Sequence, residues 1–157
     1  MLDLNQRSTP HIGAVDAARL RTIVEGATLA LVARDGRQLA GFVLVLGPGA
    51  AYDSPNYRWF AGRYDDFRYV DRIAVEPDRH RDGLGSRLYR AVFDHARDSG
   101  SPVVTCEVNV EPPNPVSQQF HASLGFREVG RQENYGGEVV VQLLERPIEP
   151  SEDAPAR

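Results

Sequence analysis

The chain has 157 residues, 41% hydrophobic and 25% charged, with a net charge of -4. Such a length and composition describe one globular domain with its own core, and they exclude a disordered chain and a strongly basic nucleic-acid binder. A lone cysteine, Cys106, leaves no internal disulfide and suits a reducing, cytoplasmic setting, while the apolar run from Leu39 to Leu46 is too short to cross a bilayer and residues 1–10 lack the apolar stretch of a secretion signal.

Leu2 to Asn5 reads as a short first strand. Ser8 to Ala27 reads as helical, with Ser8 or Thr9 as the cap, Pro10 in the first turn and Leu20, Ile23 and Val24 at helical spacing. Two β-rich runs flank Asp35-Gly36 and predict a hairpin over Thr28 to Gly47. Residues 48–66 form a long connection rich in aromatics. A strand follows over Phe67 to Val75 and is stopped by Pro77. In the next segment Leu84, Leu88, Val92 and Ala96 recur every four residues, predicting a helix that Gly100 terminates. Pro102 to Val110 is a strand, Asn114 to Phe126 a short helix with Pro115 in its first turn, and Arg127 to Arg146 two strands around Gly136-Gly137. From Pro147 the chain loses periodicity and reads as a flexible tail, so the domain is expected over residues 1–146. The order β, α, β, β, loop, β, α, β, α, β, β describes an α/β domain with a mixed sheet.

The stretch "RHRDGLGSRLYR", Arg79 to Arg90, sets a glycine turn at the start of a helix. The first turn of a helix carries unpaired N–H groups and partial positive charge, and glycines let the backbone approach an anion, so the turn suits phosphate. It lacks the Gly-Lys-Ser/Thr of a nucleotide-hydrolysing loop, and Leu88 stands where a dinucleotide fingerprint needs its third glycine.

The segment "DRIAVEPDRHRDGLGSRLY" resembles the acetyl-CoA-binding segment of the GCN5-related N-acetyltransferases, and "NPVSQQFHASLGF" is similar to that family's second signature. More narrowly, "SPNYRWF", "YVDRIAV" and "EVNVEPPNPVSQQFH" resemble one bacterial subgroup. The resemblance implies a mostly antiparallel twisted sheet of six to seven strands with flanking helices, splayed between its two central strands. It implies an acyl-CoA-dependent N-acetyltransferase that moves an acetyl group from acetyl-CoA to a primary amine of a small molecule by direct attack in a ternary complex. Two alternatives are a non-catalytic acyl-CoA-binding module and an enzyme acting on a protein amine. No metal, nucleic acid or membrane is expected; a homodimer is compatible with the family.

The same resemblance places cofactor contacts at Ile73, Ala74 and Val75, along His80, Arg81, Asp82, Gly83, Leu84, Gly85 and Ser86, and at Asn109, Asn114, Ser117 and His121. His80 and His121 depart from the family pattern, His121 standing where a tyrosine acid is frequent. A histidine can supply such a proton when charged. The alternative for this helix face is a capping Asn114 and a hydrogen-bonded structural His121. Asp71 and Glu107 are the candidate bases. Asp71 could instead serve only as an ion-pair partner of Arg72. Cys106 suits a buried strand position better than a nucleophile. In the aromatic connection, Tyr52, Asp53, Ser54, Asn56, Trp59 and Phe60, with Tyr57, could line the acceptor pocket or pack as a secondary core.

Overall fold

The computed structural model describes residues 1–9, 12–80 and 82–150; Pro10, His11, Arg81 and the end of the expected tail lie outside them. The chain runs through α1 (Leu2–Arg7), α2 (Ala17–Gly26), β1 (Leu29–Asp35), β2 (Gln38–Leu46), α3 (Pro55–Ala61), β3 (Arg68–Val75), α4 (Leu84–Asp98), β4 (Val103–Glu111), α5 (Pro115–Ser123), β5 (Arg127–Asn134) and β6 (Val139–Pro147). The strands form one six-stranded sheet in the order β1-β2-β3-β4-β6-β5. All pairs are antiparallel except β3 with β4.

Local chemistry accounts for most of these boundaries. The β1–β2 hairpin closes where Asp35 pairs with Gln38, with Gly36 at a φ of +57° that favours glycine. Helix α2 starts at Asp16, whose carboxylate accepts the Arg19 N–H at 2.7 Å. Thus the cap is Asp16 rather than Ser8 or Thr9, and the helix begins later than the periodicity suggests.

Two expectations are corrected. Leu2 to Asn5 is helical, not a strand: an Asp3–Arg7 pair spans one turn, and the helix packs Leu4 with Leu20, Ile23, Phe42 and Leu44. The connection of residues 48–66 contains α3, which the serine cap at Ser54 and Pro55 in the first turn specify. At the other end β6 reaches Pro147, paired with Val103, and Ile148 packs into the core, so ordered structure passes the expected boundary at Arg146.

Helices α4 and α5 cover one face of the sheet. There Leu88, Tyr89, Val92, Phe93 and Ala96 pack against Val43, Val45, Val70, Val104, Cys106 and Val108. On the opposite face α3 buries Tyr57 and Phe60 against Phe67, Tyr69 and Leu143, while α1 and α2 cover Phe42, Leu44 and Ala74.

The parallel contact between β3 and β4 is short. Arg68 faces Val104 and Tyr69 faces Thr105, and there the pairing ends. Beyond it the strands diverge, leaving backbone on both sides of a wedge without a ladder partner. A bulge shapes one wall. Leu44 faces Arg72 and Val45 faces Val70, so Asp71 is the extra residue in β3.

Candidate active site

Strand alternation would send Asp71 and Arg72 to opposite faces. The bulge cancels that alternation. Val70 and Ile73, three positions apart, both pack on the α4 side, and Asp71 and Arg72 are left together on the side of α1 to α3. Arg72 Nε donates to Asp71 Oδ2 at 2.6 Å, and both side chains are buried. Arg72 Nη1 also donates to Asn5 Oδ1 at 2.8 Å and to the Gly13 carbonyl at 3.3 Å. The other Asp71 oxygen accepts the Tyr52 hydroxyl.

Glu107 stands on β4, the other wall of the wedge. Its Oε1 accepts the Tyr69 hydroxyl at 2.9 Å. Its Oε2 is shielded from solvent and has no partner among the described residues. Burial pushes the Glu107 carboxyl up to about 8, with repulsion from Asp71 adding to the effect; the Tyr69 hydroxyl partly opposes it, as does the neighbouring Asn56 amide, which lies outside hydrogen-bond geometry with Oε2. Two buried carboxyl groups therefore stand near one arginine, and only Asp71 pairs with it. One is ion-paired; the other holds its proton near neutral pH and, once ionised, presents Oε2 as a free acceptor.

His121 belongs to the opposite face. It is 5% exposed, with Nδ1 donating to the Ser117 carbonyl at 2.7 Å and Nε2 accepting the Tyr89 hydroxyl at 2.7 Å. Burial lowers its pKa. A neutral ring with both nitrogens engaged matches the hydrogen-bonded structural histidine that the sequence also allows, and in this structure it offers no free N–H to the wedge. Asn114 likewise caps α5, its Oδ1 accepting the Ser117 N–H at 3.2 Å. Ser117 is half-buried, its hydroxyl 3.3 Å from His121 Nδ1. Cys106 lies in the core, and burial pushes its thiol well up, away from nucleophile chemistry.

At the open end of β3 the chain turns into α4. Gly83 is the N-cap residue at a φ of +70°, with no side-chain cap. The first helical bond runs from the Arg87 N–H to the Gly83 carbonyl, so the N–H groups of Leu84, Gly85 and Ser86 have no partner among the described residues. Gly85 keeps the turn tight: a Cβ there would stand 3.1 Å from Phe120 of α5. His80 remains exposed and bends toward β3, Nε2 donating to the Val75 carbonyl at 2.9 Å. Asp82 pairs with Arg79, which also pairs with Asp35. Arg81 lies outside the described residues. On the facing strand the Asn109 carbonyl accepts from Gln118 of α5 at 3.1 Å, tying β4 to that helix.

The expected acceptor residues divide. Tyr52 reaches Asp71, and Asn56 is buried beside Glu107, its Oδ1 accepting from Gln132 and Asn134 at 2.9 and 3.0 Å. Ser54 is a helix cap. Phe60 is wholly buried core, and Tyr57 is buried with its hydroxyl donating to the Gly47 carbonyl at 2.7 Å, so neither lines a pocket. Trp59 lies on the β5 backbone, where a Cβ on Gly130 would meet its ring at 2.8 Å. Asp53 is exposed and paired with Arg19. The sequence reading missed Tyr69, Asn5 and Arg19, and treated Arg72 only as a partner for Asp71.

A family model described as Acetyltransferase (GNAT) family matches residues 3–126. The chain belongs to the acetyltransferase (GNAT) family. Part of it is 37% identical, over 65 residues, to the L-amino acid N-acyltransferase MnaT of Escherichia coli (strain K12); the match covers 40% of this chain and 37% of that protein. The chain thus aligns with little more than a third of that relative's length. Among solved structures, the ribosomal-protein-S18-alanine N-acetyltransferase of Escherichia coli superposes with a TM-score of 0.69 at 19% identity, over 99% of this chain and 90% of that one. An aminoglycoside 6'-N-acetyltransferase complexed with coenzyme A gives 0.70 at 16%, over 97% and 91%. At those identities the likeness is one of fold, and the splayed sheet is the GNAT arrangement expected from the sequence.

Proposed function

We propose that this GNAT protein is an acyl-CoA-dependent N-acetyltransferase, with acetyl-CoA as donor and the primary amine of a small molecule as acceptor. The single observation that carries this reading is the buried, unpartnered Oε2 of Glu107 in the wedge between β3 and β4. An unpaired buried acceptor atom is costly and suits a ligand donor. An acceptor ammonium fits it. The partial likeness to an L-amino acid N-acyltransferase makes amino acids the first acceptors to test.

The residues present fit the donor. The uncapped first turn of α4, from Gly83 to Ser86, offers backbone N–H groups to a pyrophosphate, and the wedge-facing edges of β3, from Ile73 to Val75, and of β4 at Asn109 offer an extended arm the backbone groups that the His80–Val75 and Gln118–Asn109 bonds leave free. Bound there, acetyl-CoA supplies a thioester acyl group activated toward amines. Glu107 in its ionised form takes the ammonium proton, leaving a neutral amine; the amine nitrogen would then bond to the acetyl carbon as its C–S bond breaks, the thiolate leaving with the amine's second proton as the free thiol while Glu107 returns its proton to solvent. Asp71, paired with Arg72 and bonded by Tyr52, fixes the β3 wall of the wedge opposite Glu107. Unpaired β3 N–H groups can bind developing negative charge on oxygen, and the walls of the wedge hold the two reactants together.

Calorimetric titration with acetyl-CoA, using ATP and NAD as controls, followed by an amine screen, tests the proposal. Micromolar binding of acetyl-CoA alone and acetylation of an amine support it. Absence of binding at millimolar acetyl-CoA overturns it.

A further inference from the structure

Arg19, in the first turn of α2, lies over the Tyr52 ring, its guanidinium carbon 4.6 Å from the ring centre. The hydroxyl of the same tyrosine donates to Asp71 in the wedge. One tyrosine therefore carries a cation on its ring face and the site carboxylate at its tip. Arg19 uses one N–H, on Nη2, for Asp53; Nε and Nη1 have no partner among the described residues. Its side chain is 36% exposed and that of Asp53 67%. A pair so open to water contributes little, so another carboxylate can replace Asp53 at small cost. The other arginine of the site, Arg72, is buried and committed to Asp71, Asn5 and Gly13.

Arg19 is thus a cation held by stacking, with donors to spare, one tyrosine removed from Asp71 in the wedge. A plain amine gains nothing from it. An acceptor that carries a carboxylate next to its amine gains at both ends. The ammonium and carboxylate of an α-amino acid are separated by one carbon, so one small molecule presents a cation to the wedge carboxylate and an anion to a guanidinium. We propose that Arg19 is a specificity-determining residue that binds the carboxylate of an α-amino acid acceptor, whose amine is directed at Glu107. The inference rests on the acetyltransferase reading of the wedge and adds the residue that selects the acceptor.

Initial rates of thiol release decide it. Each L-amino acid is compared with its amide and its decarboxylated amine, using the wild type, Arg19→Gln and Arg19→Lys. Because Arg19 is on the surface, both variants should fold, and thermal melts verify this. The expected result is a preference of the wild type for free amino acids. Arg19→Gln then raises KM for those acceptors by about tenfold or more, equivalent to at least about 1.4 kcal/mol of binding. KM for amides and decarboxylated amines stays unchanged, and Arg19→Lys recovers part of the loss. Equal use of amides and acids by the wild type, or an equal rise of every KM in Arg19→Gln, overturns the role of Arg19 and leaves the acetyltransferase standing. Tight acetyl-CoA binding with no amine acetylated in any series overturns the acetyltransferase reading, and the role of Arg19 with it.

Discussion

Replacing Glu107 by Gln changes how stability depends on pH. In the native protein the Glu107 carboxyl is pushed from 4.5 up to about 8, chiefly by burial. In the unfolded chain it ionises near its ordinary value. Between the two, the native state binds the extra proton, so this group's contribution to stability falls as pH rises from about 4.5 and levels off above about 8. Each pH unit of displacement corresponds to about 1.36 kcal/mol, which bounds the whole effect at about 5 kcal/mol. Relaxation of the protein around a buried charge, which behaves as an effective dielectric of about 20 rather than about 4, lowers the realised value to about 2 kcal/mol. Gln keeps the shape and cannot ionise, so Glu107→Gln gains about that much relative to the wild type between pH 5 and pH 9. Urea denaturation across this range reads the difference directly. Parallel pH curves for the two proteins would refute the burial argument for Glu107.

His121→Phe keeps a ring in the core but leaves the Tyr89 hydroxyl without its partner; a loss of about 1–3 kcal/mol in urea denaturation is expected, with the pH profile of acetyl transfer unchanged. Gly83→Ala places a side chain at a φ of +70° in open space, costing about 1–2 kcal/mol of stability and weakening acetyl-CoA binding in calorimetry. Gly130→Ala drives a methyl into Trp59, the protein's single tryptophan, so its fluorescence maximum shifts on substitution.

The hairpin, helices α4 and α5 and the succession of strands from β1 onward are readable because local chemistry governs them: Asp35-Gly36 makes the turn, Leu84 to Ala96 the apolar stripe, and Asn114-Pro115 the start of α5. The resemblance to the GNAT signatures likewise located the wedge and the α4 turn. Helix α3 carried a readable signal in Ser54-Pro55, outweighed by the aromatic density around it. Leu2 to Asn5 carried none, since the helix is fixed by burial of Leu4 and Asn5 against residues far along the chain. The facing of Asp71 was illegible for a definite reason. A bulge adds one residue and turns an alternation argument around, and its position depends on the register with β2. His121 occupies a signature position on α5, yet tertiary packing surrounds it with Tyr89, Phe120 and Phe126, and that decides its protonation. Arg19 reaches Tyr52 only through the fold.

The most direct measurement is the pH profile of acetyl-CoA-dependent acetylation for the wild type and Glu107→Gln, with one amine acceptor at saturating acetyl-CoA. The account predicts a wild-type kcat/KM that rises through about pH 8 as Glu107 ionises, and a loss of about 100-fold or more at the plateau in the variant. A variant that keeps both the wild-type rate and the wild-type profile would contradict the assignment of the wedge carboxylate as the base.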